Sequence, residues 1–416
     1  MMKILWLTCA QFSDVKIKTT GSWLQPLAEK LQASGEVNIV NVTYGNVATI
    51  KQETVKGIKQ YLLPTPKIRH NGMIPSADFC RQLSAVASAE RPDLVHIWGT
   101  EGIWGSAYLQ GAIKTKAFVD IQGILSSYYY YYYGGLSFSD IVRSIHLKEC
   151  ILPWRSLFSK RKVFRKRGEV EIEFLKHIDD ISYQSEWVRR HVSLIHPDAN
   201  FLKTKIMLRQ GFYDAAPWAY HDNGDSPVVF TSASGSIPYK GIQILFRAIA
   251  LLKAKYPKVQ LRVAGNMAIG NRLQDGFGIF LKQLVKSLGI EDNVEFLGPL
   301  DEDQIIGQLQ TANICVVPSF VETYCLAFAE AMMVGTPTIA SYAGAMPELA
   351  DDKKECLFYN SLDFQSLACL MDELYRDKAL SESISVNARQ RRLKENAPDL
   401  VVATQLNNYK TLIHSK

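Results

Sequence analysis

Short, uninterrupted apolar runs alternate with stretches of helical periodicity, and a turn-rich break divides this pattern into two series. In the first, strand-like runs fall at 3–8, 37–42, 94–98, 117–121 and 178–183, with helical stretches such as 22–33 and 77–89 between them. Runs that are apolar throughout are buried on both faces, which predicts parallel sheets covered by helices. The break, AAPWAYHDNGDSP, carries two prolines, a glycine and several Asp/Asn residues, the chemistry of a linker. After it, strands at 228–232, 260–264, 294–297, 314–317 and 338–340 alternate with helices at 241–256, 273–288, 303–310 and 326–334, and 362–416 reads as successive helices. A chain of 416 residues is too long for one core. The expectation is therefore α/β: two Rossmann-like, doubly wound domains facing each other across a cleft. Residues 1–214 form the first, 215–226 the linker and 227–398 the second, with a helix at about 399–416 packing back on the first.

Charge is concentrated rather than spread. The net charge is +6, but Arg143–Arg167 alone holds nine Lys/Arg and one acid, Glu149, so the remainder sums to −2. A nucleic-acid binder would be basic more widely, so no nucleic-acid partner is expected. With Trp154, Phe158 and Phe164 among its cations, 143–167 resembles an interfacial anchor for an anionic membrane surface, although a solvated charged face is the plainer alternative. The N-terminus MMKILWLTCA reads as a buried strand rather than a signal peptide, and no apolar run is long enough to span a bilayer. Seven scattered cysteines without a C-x-x-C pair fit reduced core thiols. The expected location is cytoplasmic, with peripheral attachment to the inner face of the membrane if the anchor is real.

The chemistry-bearing stretch is PSFVETYCLAFAEAMMVGTPTIAS, 318–341. It places Glu322 in the loop after a strand and Glu330 more than a turn into the following helix. The amides at that helix start, around Thr323, Tyr324, Cys325 and Leu326, make an anion site suited to phosphate. Alone, Glu322 reads more simply as an acid favoured by the helix dipole. Together with E-A-M, G-T-P-x-I-A-S and G-x-x-P-E (Gly344, Pro347, Glu348), however, the string closely resembles the donor half of family-4 glycosyltransferases of the GT-B fold. The resemblance implies that Glu322 contacts the donor sugar, that the amides of Thr323–Leu326 hold sugar and phosphate, and that Glu330 binds the ribose.

Other segments resemble the same family. FTSASGSIPYKGIQILFRAIALL, 230–252, matches its strand, glycine-containing loop and K-G helix start. This implies that Ser234, Gly235, Lys240 and Gly241 surround the diphosphate, with Lys240 stabilising it as it departs. Many relatives have arginine where this chain has Gly235, and Arg209 could compensate or form a structural ion pair. Gly265, Phe296 and Gly298 match positions lining the nucleotide site, and Gly21 matches a turn that approaches donor phosphate and acceptor. In PDLVHIWGTEG, 92–102, His96 ends a buried strand and reads as satisfied structure. In FVDIQGIL, 118–125, Gln122 replaces the family's histidine facing the donor sugar. It cannot titrate, but its amide can orient a hydroxyl or the reacting centre. Asp301-Glu302-Asp303 spells D-x-D at a helix start, where capping is expected instead of a metal. The tyrosines Tyr128–Tyr133 cannot all face one core. They line the acceptor side, or pack as a buried element or oligomer contact.

The resemblance implies a retaining transfer from a nucleotide-diphospho-sugar, UDP- or GDP-linked, to a glycan or lipid-linked acceptor, in a setting such as bacterial surface-polysaccharide synthesis. Neither metal nor cofactor is expected, and Lys240, Glu322 and Gln122 carry the chemistry. Two alternatives remain open: a nucleotide-sugar epimerase of the same fold, which would need acid–base groups in the cleft, and a non-catalytic sugar-nucleotide-binding protein.

Overall fold

The computed structural model describes residues 1–15, 23–67, 73–233, 235–267 and 275–415. The N-terminal part contains β1 (Met2–Leu7), α1 (Leu24–Ala33), β2 (Val37–Gly45), β3 (Lys51–Val55), β4 (Ile58–Pro64), α2 (Ala77–Glu90), β5 (Leu94–Trp98), α3 (Trp104–Leu109) and β6 (Ala117–Asp120). It continues with α4 (Leu125–Tyr131), α5 (Phe138–Arg143), α6 (Leu147–Ile151), α7 (Leu157–Leu175), β7 (Asp180–Tyr183), α8 (Glu186–Ser193), β8 (Asn200–Lys203) and α9 (Gln210–Asp214). Its eight strands order as β3-β4-β2-β1-β5-β6-β7-β8, parallel except for the β3–β4 hairpin. The hairpin is absent from the sequence reading because β3, KQETV, is polar and largely exposed, as an edge strand can be.

The C-terminal part contains β9 (Val228–Ser232), α10 (Ile242–Lys253), β10 (Gln260–Ala264), α11 (Gly276–Ser287), β11 (Val294–Gly298), α12 (Glu302–Thr311), β12 (Ile314–Val317), α13 (Leu326–Val334) and β13 (Thr338–Ser341). It ends with α14 (Met346–Leu349), β14 (Leu357–Tyr359), α15 (Phe364–Arg376), α16 (Lys378–Glu395) and α17 (Pro398–His414). These six strands order as β11-β10-β9-β12-β13-β14, all parallel.

Each sheet is buried on both sides because successive side chains of a strand point to opposite faces. Leu5 and Leu7 of β1 join one apolar cluster, while Ile4 and Trp6 join another. In the same way Ile314 and Val316 of β12 face one C-terminal cluster and Cys315 and Val317 the other. Helix α17 returns to the first sheet: Val401, Leu406, Tyr409 and Leu412 pack with Ile4 and Trp6, and Trp6 Nε1 donates to Tyr409 Oη at 2.9 Å.

Two segments join the lobes. Residues 215–226 lie along the C-terminal lobe, where Trp218 is buried and its Nε1 donates to the Ala312 carbonyl at 2.8 Å. The helices α4 to α7 extend from the N-terminal sheet onto the other lobe: Tyr128, Tyr132, Ile141 and Leu157 belong to the cluster built around α10 and α11. Of the tyrosine run, Tyr128 and Tyr132 pack on Tyr239, Tyr129 and Tyr133 flank Arg161, and Tyr130 and Tyr131 are exposed. All seven cysteines are free, but Cys9, Cys150 and Cys369 are exposed, so only four fit the reading as core thiols. Among the described residues, no helix is long and apolar enough to cross a membrane.

Candidate active site

The carboxyl ends of β9, β10 and β12 open onto a cleft of about 500 Å³ that both lobes line. Trp23, Glu101, Gln122, Tyr128 and Gln184 come from the N-terminal lobe, facing Lys240, Gly265, Glu322 and Glu330. An open α/β sheet binds ligands at this edge because helix N-termini and loop amides converge there.

Lys240 ends a 3₁₀ turn, Pro238–Lys240, which Gly241 terminates at φ +74°. A β-carbon at 241 would lie 1.9 Å from the Pro318 carbonyl oxygen, so glycine lets this turn press against the loop after β12. Gly265 does the same between β10 and β9: at φ +119°, a β-carbon would lie 1.6 Å from the Ala233 oxygen. The turn and loop bring Lys240 Nζ to 2.7 Å from Glu322 Oε1, with both side chains largely buried. Burial opposes the lysine's charge, but Glu322, with Tyr239 and Cys325, outweighs it and raises the lysine pKa.

Helix α13 is preceded at its N-cap by Cys325, a non-glycine residue at φ +78° whose side chain makes no capping bond. Such a conformation costs on the order of 1–3 kcal/mol and tends to persist where surrounding structure imposes it. It leaves the first-turn amides of α13 without a side-chain cap, and Cys325, Leu326 and Ala327 line the cleft there. Burial raises the Cys325 pKa well above that of an ordinary thiol.

One turn further on, Glu330 Oε1 accepts from Arg209 Nε at 3.1 Å and Nη2 at 2.7 Å. Burial raises the Glu330 pKa and Arg209 counteracts it. Arg209, which lines the cleft, thus forms an ion pair with Glu330. At 235 a β-carbon would meet nothing closer than the Asn266 oxygen at 3.8 Å, so the backbone there has room for a side chain.

Thr323 joins the lobes. Its hydroxyl donates to the Gln122 carbonyl at 2.5 Å and receives a 3.4 Å hydrogen bond from Tyr128 Oη, while its carbonyl accepts from Ser185 Oγ at 2.8 Å. Glu348 of the G-x-x-P-E string accepts from the amides of Glu186 and Trp187, both at 2.7 Å, capping α8 across the lobe boundary. Three residues before it, the Ala345 amide donates to the Glu322 carbonyl at 2.8 Å and steadies that loop.

Behind the facing wall, which Gln122 and Gln184 line, the fully buried Asp120 receives hydrogen bonds from Gln122 Nε2 and Gln184 Nε2 and, at 2.7 Å, from Ser182 Oγ. Burial drives Asp120 up to about 7 against these donors, and the neighbouring Glu101 adds to the rise. Glu101 is itself raised to about 7, by burial and then by the nearby Glu171 charge. Glu171 accepts from Thr100 Oγ1 and from the amides of Leu125 and Ser126, capping α4. The sequence reading passed over Glu101, Asp120 and Gln184; the only signal was carboxylates just after, or at the end of, wholly apolar strands, in WGTEG and FVDIQG.

Not every expected residue lines the cleft. Phe296 packs edge-on against Phe246, and neither it nor Gly298 lines the cleft, whose wall there is Pro299 and Leu300. Gly241 acts through its turn rather than by lining the cavity. Gly21 and Ser234 lie outside the described residues. His96 is fully buried beneath α17 with Nδ1 3.0 Å from Tyr409 Oη, and burial holds its pKa well below the usual range. Asp301 caps α12 reciprocally with Gln304, and Glu302 accepts from the Gly211 amide.

Residues 217–391 match the model of the family described as glycosyl transferases, group 1. A D-inositol 3-phosphate glycosyltransferase of Corynebacterium jeikeium (strain K411) is 34% identical over 145 residues, 34% of this chain and 33% of that protein. An MMP alpha-(1->4)-mannosyltransferase of Mycolicibacterium hassiacum is 27% identical over 164 residues, 39% of this chain and 38% of that one. The chain thus matches about a third of the length of these curated relatives. Among solved structures, a sucrose-phosphate synthase from Thermosynechococcus elongatus is similar over 100% of both chains, with a TM-score of 0.77 at 18% identity. HepE of Anabaena in complex with UDP and glucose is similar over 99% of this chain and 100% of that one, at 0.69 and 15%. At such identities the likeness concerns the fold, which is GT-B.

Proposed function

We propose, from a chain whose residues 217–391 form a group 1 glycosyl transferase domain, that it transfers a sugar from a nucleotide-diphospho-sugar to a glycan or lipid-linked acceptor. The observation that carries this reading is the Lys240–Glu322 pair beside the uncapped head of α13. An ammonium and helix amides at one point suit a diphosphate, and a carboxylate next to them suits a sugar hydroxyl.

In this reading residues 1–214 with α17 bind the acceptor and 227–398 the donor, with 215–226 between them. The diphosphate lies against Lys240, the amides of Thr323–Leu326 and the loop containing Ser234, Gly235 and Gly241. Gly265, with Phe296 and Gly298 behind it, shapes the nucleotide end; Glu330 takes the ribose; Glu322 and Gln122 orient the sugar, and Gly21 approaches from the other lobe. The bond from sugar to diphosphate breaks as the acceptor oxygen bonds to the same face of the anomeric carbon, and the departing diphosphate takes the acceptor's proton. UDP or GDP is the proposed carrier, which the UDP bound by the similar HepE favours. The proposed setting is the cytoplasmic side of a bacterial cell making surface polysaccharide, with an anionic membrane surface as partner of 143–167.

Glu101, which lines the cleft and is raised to about 7, favours a second reading, because a nucleotide-sugar epimerase needs acid–base groups there. Thermal-shift screening with UDP, GDP, ADP and CDP identifies the carrier. The matching nucleotide-sugars are then followed by NMR with and without acceptor extracts. Acceptor-dependent release of nucleotide with retained anomeric configuration is expected. A changed sugar without acceptor supports the epimerase, and saturable binding without turnover overturns both.

A further inference from the structure

The segment 138–155 collects exposed apolar surface to an unusual degree. Nineteen large apolar side chains stand exposed among the described residues, and eight of them lie between Tyr130 and Phe158. Phe138 is 74% exposed, Leu147 76%, Ile151 66% and Trp154 66%. They recur at the spacing that shares one helix face: Phe138 with Val142 on α5, and Leu147 with Ile151 on α6. A compact chain does not leave four such side chains two-thirds bare in adjoining short helices without a use for them.

The charges of the same region are sorted by sign. Its acids turn inward as caps: Asp140 accepts from the Ser137 amide, and Glu149 from the amides of His146 and Gly276. Asp140 and Glu149 are 9% and 3% exposed. Arg143, Lys148, Lys162 and Arg165 stay at the surface. Of the other cations in 143–167, Lys160 pairs with Asp275 and Arg161 lies 4.0 Å from the Tyr129 ring centroid, while the exposed Arg165 stands 3.6 Å from Glu169. The aromatic Phe164 packs against Tyr132 and Tyr239.

We infer that α5, α6 and the turn at Pro153–Arg155 form a fixed face that inserts into an anionic lipid leaflet, with Phe138, Leu147, Ile151 and Trp154 entering the interface and the surrounding Arg/Lys binding lipid phosphates. The inference rests on reading 143–167 as membrane-facing, extends that contact back to Phe138, leaves out Phe164, and is independent of the chemistry in the cleft. A lipid surface is favoured over a second copy because two such faces would oppose like charges. The face is held in shape by the donor lobe, through Ile141 and Leu157 in its core and Glu149 on the first turn of α11. Apolar insertion and electrostatic attraction then act together, as interfacial binding requires.

The test is flotation of the full-length protein with vesicles of phosphatidylcholine alone or with about a third phosphatidylglycerol. Binding at least about tenfold tighter to the anionic vesicles, weakened by salt, is expected. The Leu147→Ser/Trp154→Ser variant should bind those vesicles about fivefold or more weakly, with an unchanged melting temperature and unchanged nucleotide diphosphate affinity. Equal binding to both vesicle types, or a variant that binds like wild type, overturns the inference. So does a lipid-free dimer that the same substitutions dissociate, since the occupant would then be a second copy. Because vesicle binding and nucleotide affinity are read separately, loss of this surface is distinguishable from failure of the proposed reaction.

Discussion

Lys240 Nζ and Glu322 Oε1 stand 2.7 Å apart across the cleft floor, so the cation proposed to grip the diphosphate is already neutralised by the carboxylate proposed to orient the sugar. A ligand phosphate must compete with Glu322 for this ammonium, which separates binding from turnover.

Glu322→Gln removes the competing charge and keeps the shape. It should bind nucleoside diphosphate a few-fold more tightly while transfer falls about a hundredfold. Lys240→Ala should weaken both. Calorimetry with the diphosphate and a nucleotide-release assay make the comparison, and parallel losses in Glu322→Gln would show that the pair is only structural.

Gly235→Arg should be tolerated, because the nearest atoms to a new β-carbon are 3.8 Å and 4.0 Å away. A second cation beside the diphosphate loop should tighten diphosphate binding about threefold to tenfold at low ionic strength, fading with added salt. Unaltered affinity across a salt series would place position 235 away from the phosphate.

Glu101 and Asp120, both raised to about 7, make stability depend on pH. Each holds its proton more tightly folded than unfolded. Their contribution is therefore complete below about pH 4 and is lost as the pH rises through about 7. Glu101→Gln should flatten the fall in urea stability between about pH 5 and 8 by on the order of 2 kcal/mol, with solvent at the cleft moderating the effect. A variant that keeps the wild-type slope assigns the dependence to other groups.

Tyr409→Phe removes the hydroxyl that accepts from Trp6 Nε1 at 2.9 Å and meets His96 Nδ1 at 3.0 Å, with all three side chains buried. The stranded Trp6 N–H should cost about 1–3 kcal/mol in urea unfolding. Because Trp6, His96 and Tyr409 meet where α17 packs on the first sheet, outside the residues lining the cleft, turnover per folded molecule should hold.

The two sheets were legible because burial on both faces demands continuous apolar strands: LVHIW, VVFTS, QLRVA and ICVV are observed over the residues expected. The strands the reading missed, β3, β4, β8 and β14, lie at or beside sheet edges and are polar, alternating or short, so they carry too little of that signal. Helix α13 and the position of Glu322 before it were readable from local order, since a loop and a helix start are fixed by neighbours in sequence.

Which partners those residues meet was not readable. That Arg209 pairs with Glu330, that Thr323 bonds the backbone of Gln122, and that the acids of 138–155 turn inward while Phe138, Leu147, Ile151 and Trp154 turn outward involve contacts between distant segments or the direction in which a side chain points. Sequence alone determined the layered architecture, because apolar periodicity is local and repeats. Only the tertiary structure decided the charge pairing and the exposed face, because Coulomb energy and burial depend on distances that chain separation does not encode.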